Sequence, residues 1–495
     1  IPWFDGYARA YGGPGKLTRT FDLPDLDEAS VLPSTLTVDL WGLSDFPGTE
    51  DDHHVRVLLN GSEVADISFN GLRAEKIEVG AASKVRLDLK KAGNLLEIIL
   101  PFDTGHLFDF VGLDGFSLGY PAFVRARDGK WEGEIPAKGT GLAVGGFSSC
   151  TALHMWSQAT GDPVRLIGAV APEASGACQI ALPPSKGQPT KYWLAEAGAV
   201  RVPSIRAGVP TPVTRAEWGT EYLIITHPAF VNDLPGLVAL QEGRGLRTQV
   251  VTTDAIYAAH SDHERDADAI QSFIRESTRA GASRLRFVLL VGSDSYDYYN
   301  VRGAEALCLV PTRYAKVGDV IHFAPTDVPY GDVDRDGLPD IPVGRLIART
   351  GAELNAVIAK LVGYRGGREA VIVTGRSDAG TGFTDQHAAM SASLDPSGWN
   401  VRSIAVDDYA GQGRTTADAR ADLLKELGAG APLVSYLGHS DYDYWDFGPL
   451  LSGDDIAKLP AGGNPGLVVQ WGCWNSYFVS VYIETMAHAL LLSGG

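Results

Sequence analysis

No apolar run in the 495 residues reaches 18, so nothing in the sequence reads as a membrane-spanning helix. Basic residues are few beside acidic ones. The chain has 42 Lys and Arg against 60 Asp and Glu, a net charge of −18 that argues against a nucleic-acid partner and for solubility. No G-x-G-x-x-G occurs, and VLLVGSDS (288–295) alone is too little to argue a nucleotide site. The chain opens at Ile1 without a start Met or a signal peptide, so processing or trimming is expected to have removed that evidence. Cysteine is scarce, with Cys150, Cys178, Cys308 and Cys473 making the whole set. Cys150 and Cys178 fall in one β-rich region, where a disulfide suiting an oxidising compartment and two free buried thiols are both compatible with the sequence. Cys308, in ALCLVP, reads as core.

What is present is the composition of a globular protein, 45% apolar and 21% charged, too long for one core and sized for two to four domains. Residues 1–121 alternate apolar and polar at period two. Asn60-Gly61 marks a hairpin, Gly93-Asn94 a second turn, and Val85–Leu89 reads as a strand with one apolar face. This predicts an antiparallel β-sandwich, a module that binds carbohydrate or supports a neighbour. Residues 122–200 continue the β pattern as a second unit or the rest of the first. Residues 201–220, with Pro203, Pro210 and Pro212 among Arg201, Arg206 and Arg215, read as an exposed linker.

Past Glu221 strands alternate with helices. Strands are expected at 222–226, 248–253, 286–292, 340–345, 370–375, 400–406, 432–437 and 466–471. A helix is expected to bury Leu354, Val357, Ile358, Leu361 and Val362 on one face. The prediction is an α/β domain in two subdomains, 221–365 and 366–495.

The last two strands carry the chemistry. APLVSYLGHS ends in Gly438-His439 and GLVVQWGCW in Gly472-Cys473, with a short helical pattern, Ser452–Leu459, between them. A right-handed crossover makes such strands parallel and brings their carboxyl ends to one sheet edge, where open α/β sheets place ligands. An imidazole and a thiol 34 positions apart then meet as a general base and a nucleophile. A lone cysteine at a strand end is more often a small core hydrophobe; the two together at matching ends argue for a site.

EYLIITHPAF (221–230), FVLLVGSDSYD (287–297), the acidic loop leading into DIPVGR (340–345), YLGHS (436–440) and WGCWNSYF (471–478) resemble, in that order, the gingipain family of cysteine peptidases. The resemblance implies a caspase-like catalytic fold beside β-sandwich modules. It also implies a secreted or cell-surface endopeptidase of bacterial type acting on proteins or peptides, with Cys473 as nucleophile and His439 as base. Many members have Gly after the histidine where this chain has Ser440. The oxyanion donors implied are the backbone N–H groups of Cys473 and Ser440, the latter only if its φ is not positive. The family continues past LLLSGG into another strand and loop, so the chain is expected to be cut short at Gly495.

No cofactor is expected for catalysis. Asp332, Asp334, Asp336 and Asp340 offer oxygens in the manner of a calcium loop, although Val343 stands where a complete loop needs its bidentate acid. Asp378, at the end of the strand 370–375, is a candidate third member that orients His439. Asp385 or Asp378 in the pocket would select Arg or Lys, and cleavage at the linker arginines would then release the β-sandwich half. The aromatic loop after His439 offers Trp445 as a substrate contact, and Trp474 flanks the nucleophile. Two rival readings remain open: a catalytically silent adhesion protein that keeps the fold, and a self-processing peptidase of narrow specificity.

Overall fold

The computed structural model describes residues 4–493 save 47, 49–50, 81–86, 136–140, 152, 160, 167–169, 173–176, 182–188, 202–210, 280–283, 302, 304–307, 318–320, 379–381, 461–463 and 482. Pro203, Arg206 and Pro210 of the expected linker therefore lie outside the described residues, as do Val85, Arg86 and Gly495. The chain divides into two compact units, Pro2–Arg206 and Ala207–Gly495.

The first unit is antiparallel throughout its paired strands. One four-stranded sheet joins Gly6–Tyr11, Phe108–Gly119, Thr35–Gly42 and Ala74–Val79; another joins Gly15–Phe21, Asn94–Leu100, His53–Leu59 and Ser62–Phe69. Their alternate apolar residues, Val38, Leu40, Val55, Val57, Ile98 and Leu113 among them, form one core. Asn60 and Gly61 both take positive φ, 53° and 83°, as a two-residue hairpin requires. Of the run read as a strand, Leu87, Asp88 and Leu89 lie outside any strand, and Val85 and Arg86 lie outside the described residues. Residues after 122 build further antiparallel sheets around their own core of Val144, Met155, Ile180 and Leu194. Cys150 and Cys178 are joined as a disulfide across 28 positions, which resolves the two sequence alternatives. A loop of that length predicts that Cys178→Ser lowers the stability of this unit by about 3 kcal/mol, measurable by denaturant titration against wild type.

The second unit contains the eight expected strands in two parallel four-stranded sheets. They are β1 Tyr222–Thr226, β2 Thr248–Thr252, β3 Phe287–Val291, β4 Val343–Leu346, β5 Glu369–Thr374, β6 Asn400–Ala405, β7 Leu433–Leu437 and β8 Leu467–Trp471. The strand order is β2-β1-β3-β4 in one sheet and β6-β5-β7-β8 in the other. The order of strands in each sheet thus turns back once, between β1 and β3 and between β5 and β7, and the carboxyl ends at such a switch point are where open α/β sheets place ligands. The helix Gly351–Gly363 buries Leu354, Val357 and Ile358, but Leu361 and Val362 are exposed. Leu361 instead lines a cavity of about 670 Å³ with Val434, Val468 and Leu490. The helix expected over Ser452–Leu459 is a single turn, Gly453–Ile456.

Candidate active site

The switch point of the second sheet places Asp378 and His439 together. Asp378 follows β5 and His439 follows β7, and His439 Nε2 lies 2.6 Å from Asp378 Oδ2. β7 pairs with β8 from Leu433↔Leu467 to Leu437↔Trp471, and His439 and Cys473 each lie two residues beyond that last pair on their own segments. Neighbouring strands stand about 4.8 Å apart, so the thiol belongs to the strand next to the imidazole. Cys473 is free and exposed, whereas Cys308 is free and buried. Burial and the neighbouring Asp294 carboxyl push the Cys308 thiol well above the ordinary range.

The imidazole is held from several sides. Phe447 stacks on it with ring centroids 4.9 Å apart, and Phe383 meets it edge-on at 5.3 Å. Asp446 braces the segments that carry both members of the pair. Its N–H donates to the His439 carbonyl at 2.8 Å, and its Oδ1 accepts the Arg376 N–H at 3.2 Å. The next N–H, that of Ser377, reaches the Asp407 carboxylate at 3.2 Å. Asp446 is buried and takes a positive φ of 63°, and no sequence signal singled it out.

On the nucleophile's side Trp474 takes a φ of 60°, a left-handed conformation unusual for a bulky residue. It is the centre of a tight turn closed by the Asn475 N–H on the Cys473 carbonyl at 2.7 Å. Its ring meets Tyr477 at 5.1 Å and Tyr442 at 5.5 Å, and it stays partly exposed. Ser440 lies in an extended bridge opposite Trp445 and is not among the residues with positive φ. Among the described residues, neither the Ser440 N–H nor the Cys473 N–H donates to a backbone carbonyl.

Trp445 offers nothing to a substrate. It is fully buried, stacked on Tyr436 at 4.4 Å, with Nε1 donating to Gln470 Oε1 at 2.8 Å. Leu450, Leu451 and Ile456 complete the core around it. Asp385 is exposed in the first turn of the helix Thr384–Leu394, where a carboxylate suits the positive end of the helix dipole.

In the first sheet's half, oxygens of Asp332, Asp334 and Asp340 converge within 4.8 Å of one another. Asp336 is not in that set; its Oδ1 accepts the Leu338 N–H at 2.8 Å.

The model of peptidase family C25 matches residues 215–495, more than half of the chain. The chain belongs to peptidase family C25. A sequence relative, an uncharacterized protein of Archaeoglobus fulgidus, is 24% identical over 205 residues, 41% of this chain and 46% of that one. Among solved structures, the complex of Porphyromonas gingivalis RgpB pro- and mature domains is 18% identical at a TM-score of 0.43, covering 56% of this chain and 60% of that one. The dimeric latent PorU of the same organism is 14% identical at a TM-score of 0.43, covering 72% of this chain and 36% of that one. The chain thus spans less than two thirds of the length of these relatives. Its C25 match takes in both parallel sheets and every residue of the His439 site.

Proposed function

We propose that this chain is a cysteine endopeptidase of the extracellular space or cell surface, with Cys473 as nucleophile, His439 as general base and acid, and Asp378 as orienting group. The observation that carries the reading is the 2.6 Å contact between His439 and Asp378 at the sheet's switch point, one strand from an exposed thiol. A carboxylate at Nε2 favours the tautomer with hydrogen there, leaving Nδ1 to take the thiol proton. The thiolate attacks the scissile carbonyl, the imidazolium protonates the leaving amine, and water releases the acyl group from sulfur. The N–H groups of Cys473 and Ser440 are the proposed oxyanion donors, and the absence of a positive φ at Ser440 is compatible with that role for a residue other than Gly.

Trp474 and Asp385 are the side chains proposed to meet substrate. Of the two acids considered for a basic side chain, Asp378 is committed to His439, which leaves Asp385 for that role. The disulfide supports an oxidising compartment, and no described helix is long and apolar enough to cross a membrane. A carbohydrate contact through the first unit is proposed on Tyr7 and Tyr11, exposed on one face of the strand Gly6–Tyr11.

The test is to label the intact protein with a peptide-linked thiol electrophile and map the adduct. Modification of Cys473 that is lost in His439→Ala, with buried Cys308 untouched, is the expected result. A folded protein whose Cys473 stays unmodified would favour the silent adhesion reading.

Calcium is proposed at Asp332, Asp334 and Asp340. Oxygens on one Ca²⁺ lie about 2.3–2.6 Å from it, hence no more than about 5.2 Å apart, which the 4.8 Å convergence satisfies. At a calcium concentration about 100 times its Kd, binding adds about 2.7 kcal/mol. Calcium should therefore raise Tm by about 5 °C, and Asp334→Asn with Asp340→Asn should erase the shift. A wild-type melting curve indifferent to calcium removes the site.

A further inference from the structure

Between β7 and β8 the backbone ladder ends early. Among the described residues, the last bond joining these two segments is the Gly438 N–H on the Trp471 carbonyl at 3.2 Å, one residue short of His439 and two short of Cys473. Side chains take over beyond it. The Ser440 hydroxyl donates to the Cys473 carbonyl at 2.7 Å, and Asn475 Nδ2 donates to Ser440 Oγ at 3.2 Å. The Asn475 N–H closes on the same Cys473 carbonyl at 2.7 Å, and the Asn475 carbonyl accepts the Ala487 N–H at 3.0 Å. Ala487 belongs to the helix Met486–Leu492, whose Met486 N–H donates at 2.7 Å to the Tyr442 carbonyl, in the loop after His439. Ser440 and Asn475 are both buried.

Gly472 fits the same network. A Cβ there would stand 2.2 Å from Ser440 Oγ and 3.0 Å from both Ser440 Cβ and the Gly438 carbonyl. Glycine at 472 thus leaves room for the serine hydroxyl at 440.

We propose that Ser440 and Asn475 are positioning residues, which carry the register of the two strands past the end of the ladder and hold the Cys473 peptide beside His439. The proposal rests on the peptidase reading above. It assigns the Ser440 side chain, present where many relatives have glycine, a role separate from its backbone N–H. The Cys473 carbonyl is turned by two donors, which fixes the plane of the following peptide and, through Cα, the direction of the thiol. Without the hydroxyl, one of those donors is gone and Asn475 Nδ2 loses its acceptor in a buried setting.

The experiment compares wild type with Ser440→Ala, Asn475→Ala, Gly472→Ala and Gly472→Ala/Ser440→Gly. Two readouts are needed: kcat and KM on a cleaved peptide, and the pH profile of Cys473 alkylation by iodoacetamide, which requires no turnover. Ser440→Ala should lower kcat about tenfold with KM within about twofold, the loss of one buried hydrogen bond acting on the transition state alone. Its alkylation profile should move toward that of an ordinary cysteine, because the thiolate loses its alignment with His439. Gly472→Ala should be the more damaging substitution alone, yet cost little in the Ser440→Gly background, where two of its three contacts are gone. A wild-type profile already like that of a free cysteine overturns the peptidase reading and this proposal with it. A low-pH wild-type profile that survives unchanged in Ser440→Ala and Asn475→Ala, with kcat unaltered, overturns the proposal alone.

Discussion

Cys473→Ala is expected to abolish peptide hydrolysis while leaving Tm unchanged. Cys473 is exposed and its sulfur belongs to no core cluster, so truncation creates no cavity and strands no buried polar group. The other free thiol, Cys308, is buried and its pKa is raised, so it cannot stand in as nucleophile. Asp378→Asn should be milder but still severe, lowering kcat by about 10² or more, because an amide neither enforces the same tautomer nor stabilises the imidazolium. Its carboxylate is about half exposed, so the fold should not respond. Turnover by a homogeneous, folded Cys473→Ala protein would place the chemistry on another residue. Hydrolysis that resists Asp378→Asn would reduce Asp378 to a surface contact.

Much of this site was legible because buried parallel strands announce themselves as short apolar runs closed by glycine. β1 and the carboxyl ends of β7 and β8 fall where the runs end, and residues at those ends had to share one edge. Asp378 could be named on that ground alone. The failures have physical causes as well. In the loop after His439, four aromatics look alike in sequence, but the left-handed turn at Asp446 reverses the chain so that Trp445 is packed inward while Phe447 stays exposed on the imidazole. Asp336 has the spacing of a metal ligand, yet its carboxylate does not converge with those of Asp332, Asp334 and Asp340, because spacing along a loop does not fix which way its turns aim each side chain. Leu361 keeps helical spacing with Leu354 and Ile358, but spacing says nothing about where the helix leaves the surface it packs on. The bracing by Asp446 and by Ser440 with Asn475 depends on contacts between segments up to 70 residues apart, which no local pattern encodes.

Arg345→Met should cost the second unit ~3–5 kcal/mol, the penalty for removing one partner of a buried ion pair. Arg345 is buried in β4, and all five of its N–H donors find acceptors. Nε and Nη2 pair with the two Asp327 oxygens at 2.7 and 2.8 Å. Nη1 serves the carbonyls of Gly292 and Val310 at 2.8 and 2.7 Å, and Nη2 that of Pro311 at 3.2 Å. The guanidinium also lies 5.3 Å from the ring of Phe478, in the segment after Cys473, so it links the first sheet to the nucleophile's loop. For a unit of this size the loss corresponds to a fall in Tm on the order of 10 °C. A simple ion pair would be largely rescued by replacing both partners with apolar residues. Here Arg345→Met/Asp327→Leu should recover only part of the loss, because the Gly292 and Val310 carbonyls lose the guanidinium, while the Pro311 carbonyl keeps the Tyr330 hydroxyl. Denaturant midpoints of the two variants decide the matter. Full recovery in the double variant would mean that water satisfies those carbonyls and that the guanidinium matters only as a counter-charge. A single variant as stable as wild type would remove Arg345 from the account of how the two sheets are held together.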